Sequence, residues 1–593
     1  MTCARVVIGA GTRLPPVKSF VGQRLYTRTV ATAVASPGQQ PSDPRPALRA
    51  SRRIGPQRLL PLPHLVLVQL VAVAGAVVWL STGWPWWLCA SGGVTVCLAL
   101  VGRWHGVSLP GAVGARLRHH RDRRRRARHV AFPETFDDGA DDLRYGFRWD
   151  GGALLSVIEI DDVPDDLTVL DAGMTVSGQM VPLDILADSL TQFDVELDSI
   201  DVISHGARSH GQTPVAAVYD SVLGPLPAIA HRTVRVVVRF DPARCPSAVT
   251  LRGGGRAGIL RTATVATRRV ANRLTEVGLR VQVLSAADIE RSVGSLCDGA
   301  HLANLREEWT HCADGNLRLT SFALGADVLT PEGLGRLWTV PSYSTTVALR
   351  LRRFGSDSIG ITGTARFDTF GAVRSDLLHG VLPLPGRQFR ALLSTLPVAR
   401  PSHEVSPWYF ADSGNDLAGI RVPAAGCGQV IGADDHGRAV ALPVFGPQIE
   451  RVVIDGSLQL VQQIVLRALA LGARILVHTN RSERWRHLVR NVADSRLLWV
   501  ADFNRGALHA GSDRNYSVAV FDGVPEATTR VGMTTVVVRL AGRPDSGAAD
   551  VTLAQRPNDP DSVLVSTRSV SSVVTMVATD DELRFIGPTA LAG

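Results

Sequence analysis

Lysine is almost missing from this chain: Lys18 stands alone against sixty-two arginines. With Ala, Val and Gly abundant, that bias reflects a GC-rich genome and carries no mechanism. Paired cysteines are missing as well. Cys3, Cys89, Cys97, Cys245, Cys297, Cys312 and Cys427 form no C-x-x-C, which argues against a disulfide framework or a zinc site and agrees with a reducing, cytosolic body. There is no Gly-Lys-Ser/Thr loop ending, no Gly-x-Ser-x-Gly elbow between a strand and a helix, and no histidine pair at metal-ligand spacing. The absence with the largest consequence is local. From Leu59 to Gly102, forty-four residues pass without a single charged side chain.

Inside that stretch, two apolar runs flank Ser81-Thr82-Gly83-Trp84-Pro85. Each is about as long as a helix that crosses a bilayer core, roughly 17 to 25 residues with its flanks. The Gly-Pro turn reverses the chain between them, and Trp79, Trp84, Trp86 and Trp87 gather there, as amphipathic indoles do at headgroup level. A buried helical hairpin in a large soluble core is the competing reading, but soluble core helices rarely run so long without a charge. The expectation is a membrane anchor whose lipid-facing residues include Leu65, Val68, Leu70, Val77, Trp79, Trp86, Trp87, Leu98 and Val101.

Charge sets the orientation. The formal net charge of +9 is concentrated beside the hairpin: residues 1–58 carry +9 and residues 103–129 carry +8, leaving about −8 for the remainder. Basic flanks stay inside, so both termini should be cytoplasmic, with only the short turn at Ser81–Pro85 facing outward from the inner (plasma) membrane. Arg121, Arg123, Arg124, Arg125, Arg126 and Arg128 form a collar. A run of this kind also fits a nucleic-acid patch. Directly after a span it is more simply an electrostatic stop against anionic lipid, and the mildly acidic body speaks against a nucleic-acid partner. The acidic stretch Asp137, Asp138, Asp141 and Asp142 that follows reads as a solvated loop.

The body alternates strand and helix patterns. Ala153–Ile160, Ile200–Ile203, Val234–Phe240, Leu279–Leu284, Val440–Val444, Arg451–Ile454, Arg474–Thr479, Thr534–Leu540 and Val563–Ser566 read as strands. Ile185–Phe193, Arg261–Val277, a segment opening at Leu382 and running through Leu396, and Ser457–Leu471 read as helices, the last stopped by Gly472 and feeding a β-α-β unit. Loops are expected around 545–549 and 557–561. The fold class is therefore α/β, with a mixed α+β arrangement as the alternative: a cytosolic body preceded by a two-helix transmembrane hairpin. The expected division is a disordered basic N-terminal region at 1–57, the hairpin at 58–102, and a collar with an acidic linker at 103–150. Two cytosolic units at 151–350 and 351–545 follow, with a tail of short strands at 546–593.

Several stretches together resemble a known family. Arg239-Phe-Asp-Pro, Arg252-Gly-Gly-Gly-Arg-Ala-Gly, Ala266-Thr-Arg-Arg-Val-Ala-Asn-Arg-Leu, Gly278 and Leu284-Ser-Ala-Ala-Asp, following a double span, look like EccE. That is the membrane subunit of the actinobacterial and mycobacterial type VII (ESX) secretion system. Gly426-Cys-Gly-Gln-Val-Ile-Gly-Ala-Asp, Arg467-Ala-Leu-Ala-Leu-Gly-Ala-Arg and Arg484-Trp485 fit the same family's C-terminal region. The resemblance covers roughly residues 55–540, through diffuse texture rather than a catalytic signature. It implies an inner-membrane subunit assembling with EccB, the EccC ATPase and EccD. WXG100 and PE/PPE-type proteins would be exported by the assembly and met only indirectly.

Three places in the body carry residue types suited to chemistry. Gly253-Gly254-Gly255 offers backbone amides to a phosphate but reads better as a loop entering a helix. Asp161, Asp162, Asp165 and Asp166 suit a hard cation beside a nucleotide sugar, or a solvated Pro-containing loop. Asp434-Asp435-His436-Gly437 reads first as a hairpin turn. The Arg5-Val-Val-Ile-Gly-Ala-Gly-Thr run lacks the third glycine and later acid of a dinucleotide fingerprint. No nucleophile, base and oxyanion donors assemble into one set, so no catalytic, cofactor or metal residue is assigned. The expectation is a non-enzymatic structural subunit. The alternative is a membrane-tethered, metal-dependent transferase using a nucleotide-linked donor and the aspartates near Asp161.

Overall fold

The computed structural model describes residues 48–50, 62–101, 103–104, 107–126, 134–139, 144–161, 167–211, 213–355, 358–374, 378–398, 404–502, 515–539 and 548–587. Two helices, α1 (Leu62–Thr82) and α2 (Trp86–Val101), form a hairpin. A third, α3 (Leu109–Arg126), carries the arginine run. The mixed α/β body that follows is built on two large sheets.

The first sheet is antiparallel through its pairings. Its spine runs Leu317–Leu324, Ser358–Thr369, Ser344–Phe354, Ser199–Ala207, His231–Phe240, Ala153–Ile160, Tyr145–Asp150 and Thr135–Asp138. The period-2 alternation of Val234-Arg-Val-Val-Val-Arg-Phe explains its two covered faces. Val234, Val236 and Val238 pack in one core with Leu260, Ala266, Val270 and Leu274 of the long helix Gly255–Glu276. Val237 points the other way, into a second core shared with the helices Ala286–Leu296 and Gln388–Leu393. Gly258 lets the long helix approach its predecessor, because a Cβ there would lie 2.5 Å from the Val249 carbonyl oxygen.

The second sheet is mixed. Leu498–Asp502, Ile475–Thr479, Val518–Asp522, Thr534–Val538, Arg451–Asp455 and Val551–Arg556 lie parallel in that order. Antiparallel strands continue it: Asp559–Thr567, Ser571–Met576, Gln429–Ala433, Ala439–Leu442, Thr168–Asp171 and Met174–Ser177. The helix Leu458–Ala470 starts at Ser457, whose side chain accepts from the Leu460 amide. It is buried almost all round, with Gln462, Gln463 and Arg467 buried beside Leu458, Val461, Val465 and Leu469.

Most sequence-derived elements lie where expected, and the departures have local causes. The helix opening near Ile185 spans only Leu183–Asp188. Beyond it the chain turns back as the hairpin Thr191–Gln192/Val195–Glu196, with Phe193 at φ 54°. The segment from Leu382 begins as a strand, Val381–Pro383, and becomes helical only at Gln388–Leu393. The two strands of the β-α-β unit are parallel in one sheet but separated by two others. The expected loop at 557–561 is a two-residue turn followed at once by the strand Asp559–Thr567. The loop expected around 545–549 lies mostly outside the described residues, as do residues 1–47, Asp141 and Asp142.

The sheets also interlock along the chain. Strands from 358–369 and 409–411 belong to the first sheet, and those from 551–576 to the second. The hairpin Thr168–Ser177 leaves the first sheet to extend the second. The helix Pro214–Leu223 likewise places Val215, Tyr219 and Val222 in the second sheet's core.

Candidate functional site

The hairpin shows how an uncharged segment presents itself. Leu70, Val77, Trp79, Trp86 and Trp87 are all exposed, Leu70 at 62% and Trp86 at 70%. Leu65, Val68, Leu98 and Val101 fall within the two helices, their side chains outside the described residues. An exposed apolar area of this extent marks an interaction surface rather than an ordinary water-facing one. The hydroxyls behave accordingly. Ser81 and Thr82 both donate to the Val78 carbonyl (3.3 and 2.6 Å), Ser91 to Leu88 (3.0 Å) and Thr95 to Ser91 (2.8 Å). Each described hydroxyl of the hairpin is thus folded back on its own helix, satisfied by a backbone carbonyl three or four residues earlier. Among the described residues, no helix is long and apolar enough to cross a membrane. The side chains of α1 are described only from Gln69, although its backbone is helical over 21 residues.

Both flanks of the hairpin are fastened to the first sheet's body. Before it, Arg49–Ala50 pairs as a short strand with Tyr409–Ala411, and Arg49 lies 3.3 Å from Asp412. After it, α3 docks on Trp309. The Arg116 guanidinium sits 5.7 Å from the indole centroid, and the His119 ring meets the indole edge-on at 5.7 Å. His119 Nδ1 is also 3.8 Å from the Glu307 carboxylate, whose other oxygen accepts from the Phe389 amide at 2.9 Å. Arg121, Arg123 and Arg124 remain exposed on α3. Arg125 and Arg126 lie on the same helix with side chains outside the described residues, and Arg128 lies beyond them altogether. The dock at Trp309 and the strand at Arg49 were not legible in the sequence, since both partners are more than a hundred residues away.

The glycine run, the Asp161 aspartates and the Asp434 turn are, where described, largely committed to structure or solvent. Gly253, Gly254 and Gly255 have φ of 103°, 62° and 55°. The amides of Gly253 and Gly254 are used by Thr250 and Val249 carbonyls, closing the preceding helix. Asp161 is exposed, while Asp162, Asp165 and Asp166 lie outside the described residues. Asp434, Asp435 and His436 bring donor atoms within 4.8 Å of one another at an exposed hairpin turn. There the Asp434 carboxylate is already taken by the His436 and Arg438 amides and the Arg438 side chain. A buried acid pair went unrecognised in the sequence. Ser344 Oγ is hydrogen-bonded to Asp298 and lies 3.1 Å from Asp368, which Arg366 clasps at 2.9 to 3.2 Å. Burial pushes Asp368 up to about 6 against the pull of Arg366. Burial also raises Asp298, but His205 and Ser344 outweigh it and hold that carboxyl low. Ser344 faces carboxylates rather than a histidine base, so the cluster lacks a nucleophile–base pair.

Part of the chain is similar to proteins of the type VII secretion systems. Residues 228–324 match a family model described as "Putative type VII ESX secretion system translocon, EccE". The chain is similar to EccE proteins. It is 28% identical over 270 residues to the ESX-5 secretion system protein EccE5 of Mycobacterium marinum, covering 43% of this chain and 64% of that protein. It is 25% identical over 330 residues to the ESX-1 protein EccE1 of Mycolicibacterium smegmatis, covering 55% and 62%. Against EccE1 of Mycobacterium tuberculosis, identity is 23% over 457 residues, covering 76% and 90%. The first two matches thus span less than two thirds of those relatives.

The EccE-like motifs inside 228–324 are packing chemistry. Arg239, fully buried, reaches Asp150, Asp201 at 3.1 Å and the Val398 carbonyl at 3.1 Å. Asp241 caps the turn after its strand by accepting from Ala243. Ser285 and Asp288 form a capping box at the start of Ala286–Leu296. The C-terminal motif residues behave alike: Trp485 is fully buried and donates to Asp522 at 2.9 Å. This texture holds a scaffold together.

Proposed function

We propose that this protein is a non-catalytic, structural subunit of a type VII (ESX) export complex in the inner membrane. α1 and α2 lie in lipid, the turn at Ser81–Pro85 faces outward, and the flanks and body are cytoplasmic. The observation that carries the reading is the pairing of an exposed apolar hairpin with two flanks fastened to one folded body. Chain ends tied to the same body belong on the same side of a bilayer, which agrees with the basic charge on both. The anchor residues are Leu65, Val68, Leu70, Val77, Trp79, Trp86, Trp87, Leu98 and Val101. Arg121, Arg123, Arg124, Arg125, Arg126 and Arg128 attract anionic headgroups, each contributing about 1 kcal/mol near the surface. The similarity to EccE1 and EccE5 supports other ESX components as partners, and among them we assign EccB, the EccC ATPase and EccD. The cytosolic part works as two sheet-based units, with the residues after 545 inside the second. Its contribution is surface complementarity rather than turnover.

The test is membrane extraction of the full chain with and without the collar. The intact protein should sediment with membranes, resist carbonate and co-migrate with EccC after mild detergent. Changing Arg123, Arg124, Arg125 and Arg126 together to Glu should lower complex yield. A chain that stays in the supernatant without detergent sinks the anchor. Normal yield from the quadruple variant removes the collar's role.

A further inference from the structure

The hairpin Thr191–Gln192/Val195–Glu196 closes through only two residues, Phe193 and Asp194. Phe193 takes the first place, at φ 54°. A positive φ there is ordinary for Gly, Asn or Asp, whereas a bulky side chain in that region is an outlier. The ring is also 94% exposed, so the core gains nothing from it.

The tip is nonetheless held firmly. Gln192, just before it, is buried and donates to the Ser189 and Ala266 carbonyls at 3.0 and 3.3 Å. Val195, just after it, is buried in the first sheet's core. Asp194 accepts from both Nη atoms of Arg252, at 2.6 and 3.3 Å. Arg269 donates to the Gln192 carbonyl at 3.2 Å and sets its guanidinium 5.3 Å from the Phe193 ring centroid. Strain of this kind persists only where the surroundings enforce it, and it gathers at functional places. An exposed ring on a fixed support is ordered before any partner arrives.

The surroundings state the partner's chemistry. Leu251, next to Arg252 in sequence, is 79% exposed. From Arg252 to Thr275 the chain carries six arginines and no acid. Arg252 and Arg269 share Asp194, Arg256 lies over the Phe136 ring, and Arg261 and Arg268 are exposed on the long helix. Two apolar knobs on a basic field match an acidic surface that carries an apolar pocket, since interfaces combine buried aromatic anchors with complementary charge. Anionic headgroups offer the charge as well. However, α3 docks beside Gln388–Leu393, which covers the face of the first sheet opposite Gly255–Glu276. The long helix thus looks away from the docked collar, and a protein fits better than lipid. We propose that Phe193 and Leu251, framed by Arg252, Arg261 and Arg268, dock this chain onto an acidic, apolar-pocketed surface of a neighbouring subunit. The inference rests on the membership of an export assembly proposed above.

The experiment purifies the full chain with the export complex from its own membranes in mild detergent. Phe193→Asn suits the positive φ and removes the ring. That variant should melt no lower than the parent and sediment with membranes as the parent does. Its dissociation constant from the complex should nevertheless rise about thirtyfold or more. Arg261→Glu combined with Arg268→Glu should weaken association too, more at low salt than at high, and carries the test alone if Phe193→Asn folds poorly. With p-benzoylphenylalanine in place of Phe193, irradiation should join the chain to another subunit within a segment of net negative charge. Undiminished association in a folded variant, or a cross-link to lipid, to nucleic acid or to a second copy of this chain, would overturn the docking surface and leave membership of the complex intact. A parent chain that reaches membranes but brings no other subunit with it sinks the assembly reading, and this surface with it.

Discussion

Arg467 offers the sharpest test of how the second body is held together. Its guanidinium is almost fully buried and all five N–H groups are engaged. Nε and Nη2 donate to the two Glu582 oxygens at 2.6 and 2.8 Å, and Nη1 to the Val430 and Ile431 carbonyls at 2.9 Å each. Nη2 also reaches the Val577 carbonyl. One side chain therefore ties the Leu458–Ala470 helix, the strand Gln429–Ala433 and the terminal helix Asp580–Ile586. Arg467→Met leaves Glu582 as a buried carboxylate without its countercharge, a loss of about 3–5 kcal/mol. At roughly 2–4 °C per kcal/mol for a unit of this size, melting should fall by about 6–20 °C. Glu582→Leu should cost a comparable amount. Arg467→Met combined with Glu582→Leu should cost clearly less than the sum, by about 2 kcal/mol or more, because no lone charge remains. Some cost persists, since three carbonyls lose their donor. Hydrogen exchange of the full chain in detergent reads this locally: peptides over 429–433 and 580–586 should lose protection together in either single variant. If the two substitutions add within about 0.5 kcal/mol, or if 580–586 loosens alone, the idea of a three-way clasp is wrong.

Two further outcomes follow from the same geometry. Trp309→Ala removes the ring under Arg116 and the edge contact of His119, together about 1–2 kcal/mol. Exchange over α3 should therefore speed up about five- to thirtyfold while the strand Ala153–Ile160 is unaffected; an unchanged rate for α3 would mean that it docks elsewhere. Asp368 is an acid whose folded value is raised from 3.8 to about 6. The folded state binds its proton more tightly than the unfolded chain does, so this group's contribution is complete below about 4 and is lost as pH rises through about 6. Asp298, held low, acts only below the ordinary carboxylate range. Urea midpoints should thus decline between about pH 4 and 6, and Asp368→Asn should flatten that slope while lowering stability overall, because Arg366 loses its partner; an unaltered slope would assign the titration to another group.

The chain's own local chemistry determined a good deal. The β-branched run Val234–Phe240 made a strand, Ser457 and Gly472 bounded a helix with Leu458, Val461, Val465 and Leu469 on its core-facing spacing, and Asp434 with Gly437 made a hairpin turn, because each depends on neighbours a few residues apart. The uncharged stretch and its basic flanks were equally plain, as was the family texture. Partnership was decided only in three dimensions. Nothing near Arg49 announces Phe410, nothing near Arg116 announces Trp309, and Arg467 gives no hint of Glu582, 115 residues on. Likewise, 168–177 leaves one sheet for another although its sequence reads like any short hairpin. Local periodicity says which face of an element must be buried. Which other element buries it is settled by the joint packing of the whole chain, where a strand edge, an indole ring or a lone carboxylate meets whatever satisfies it best.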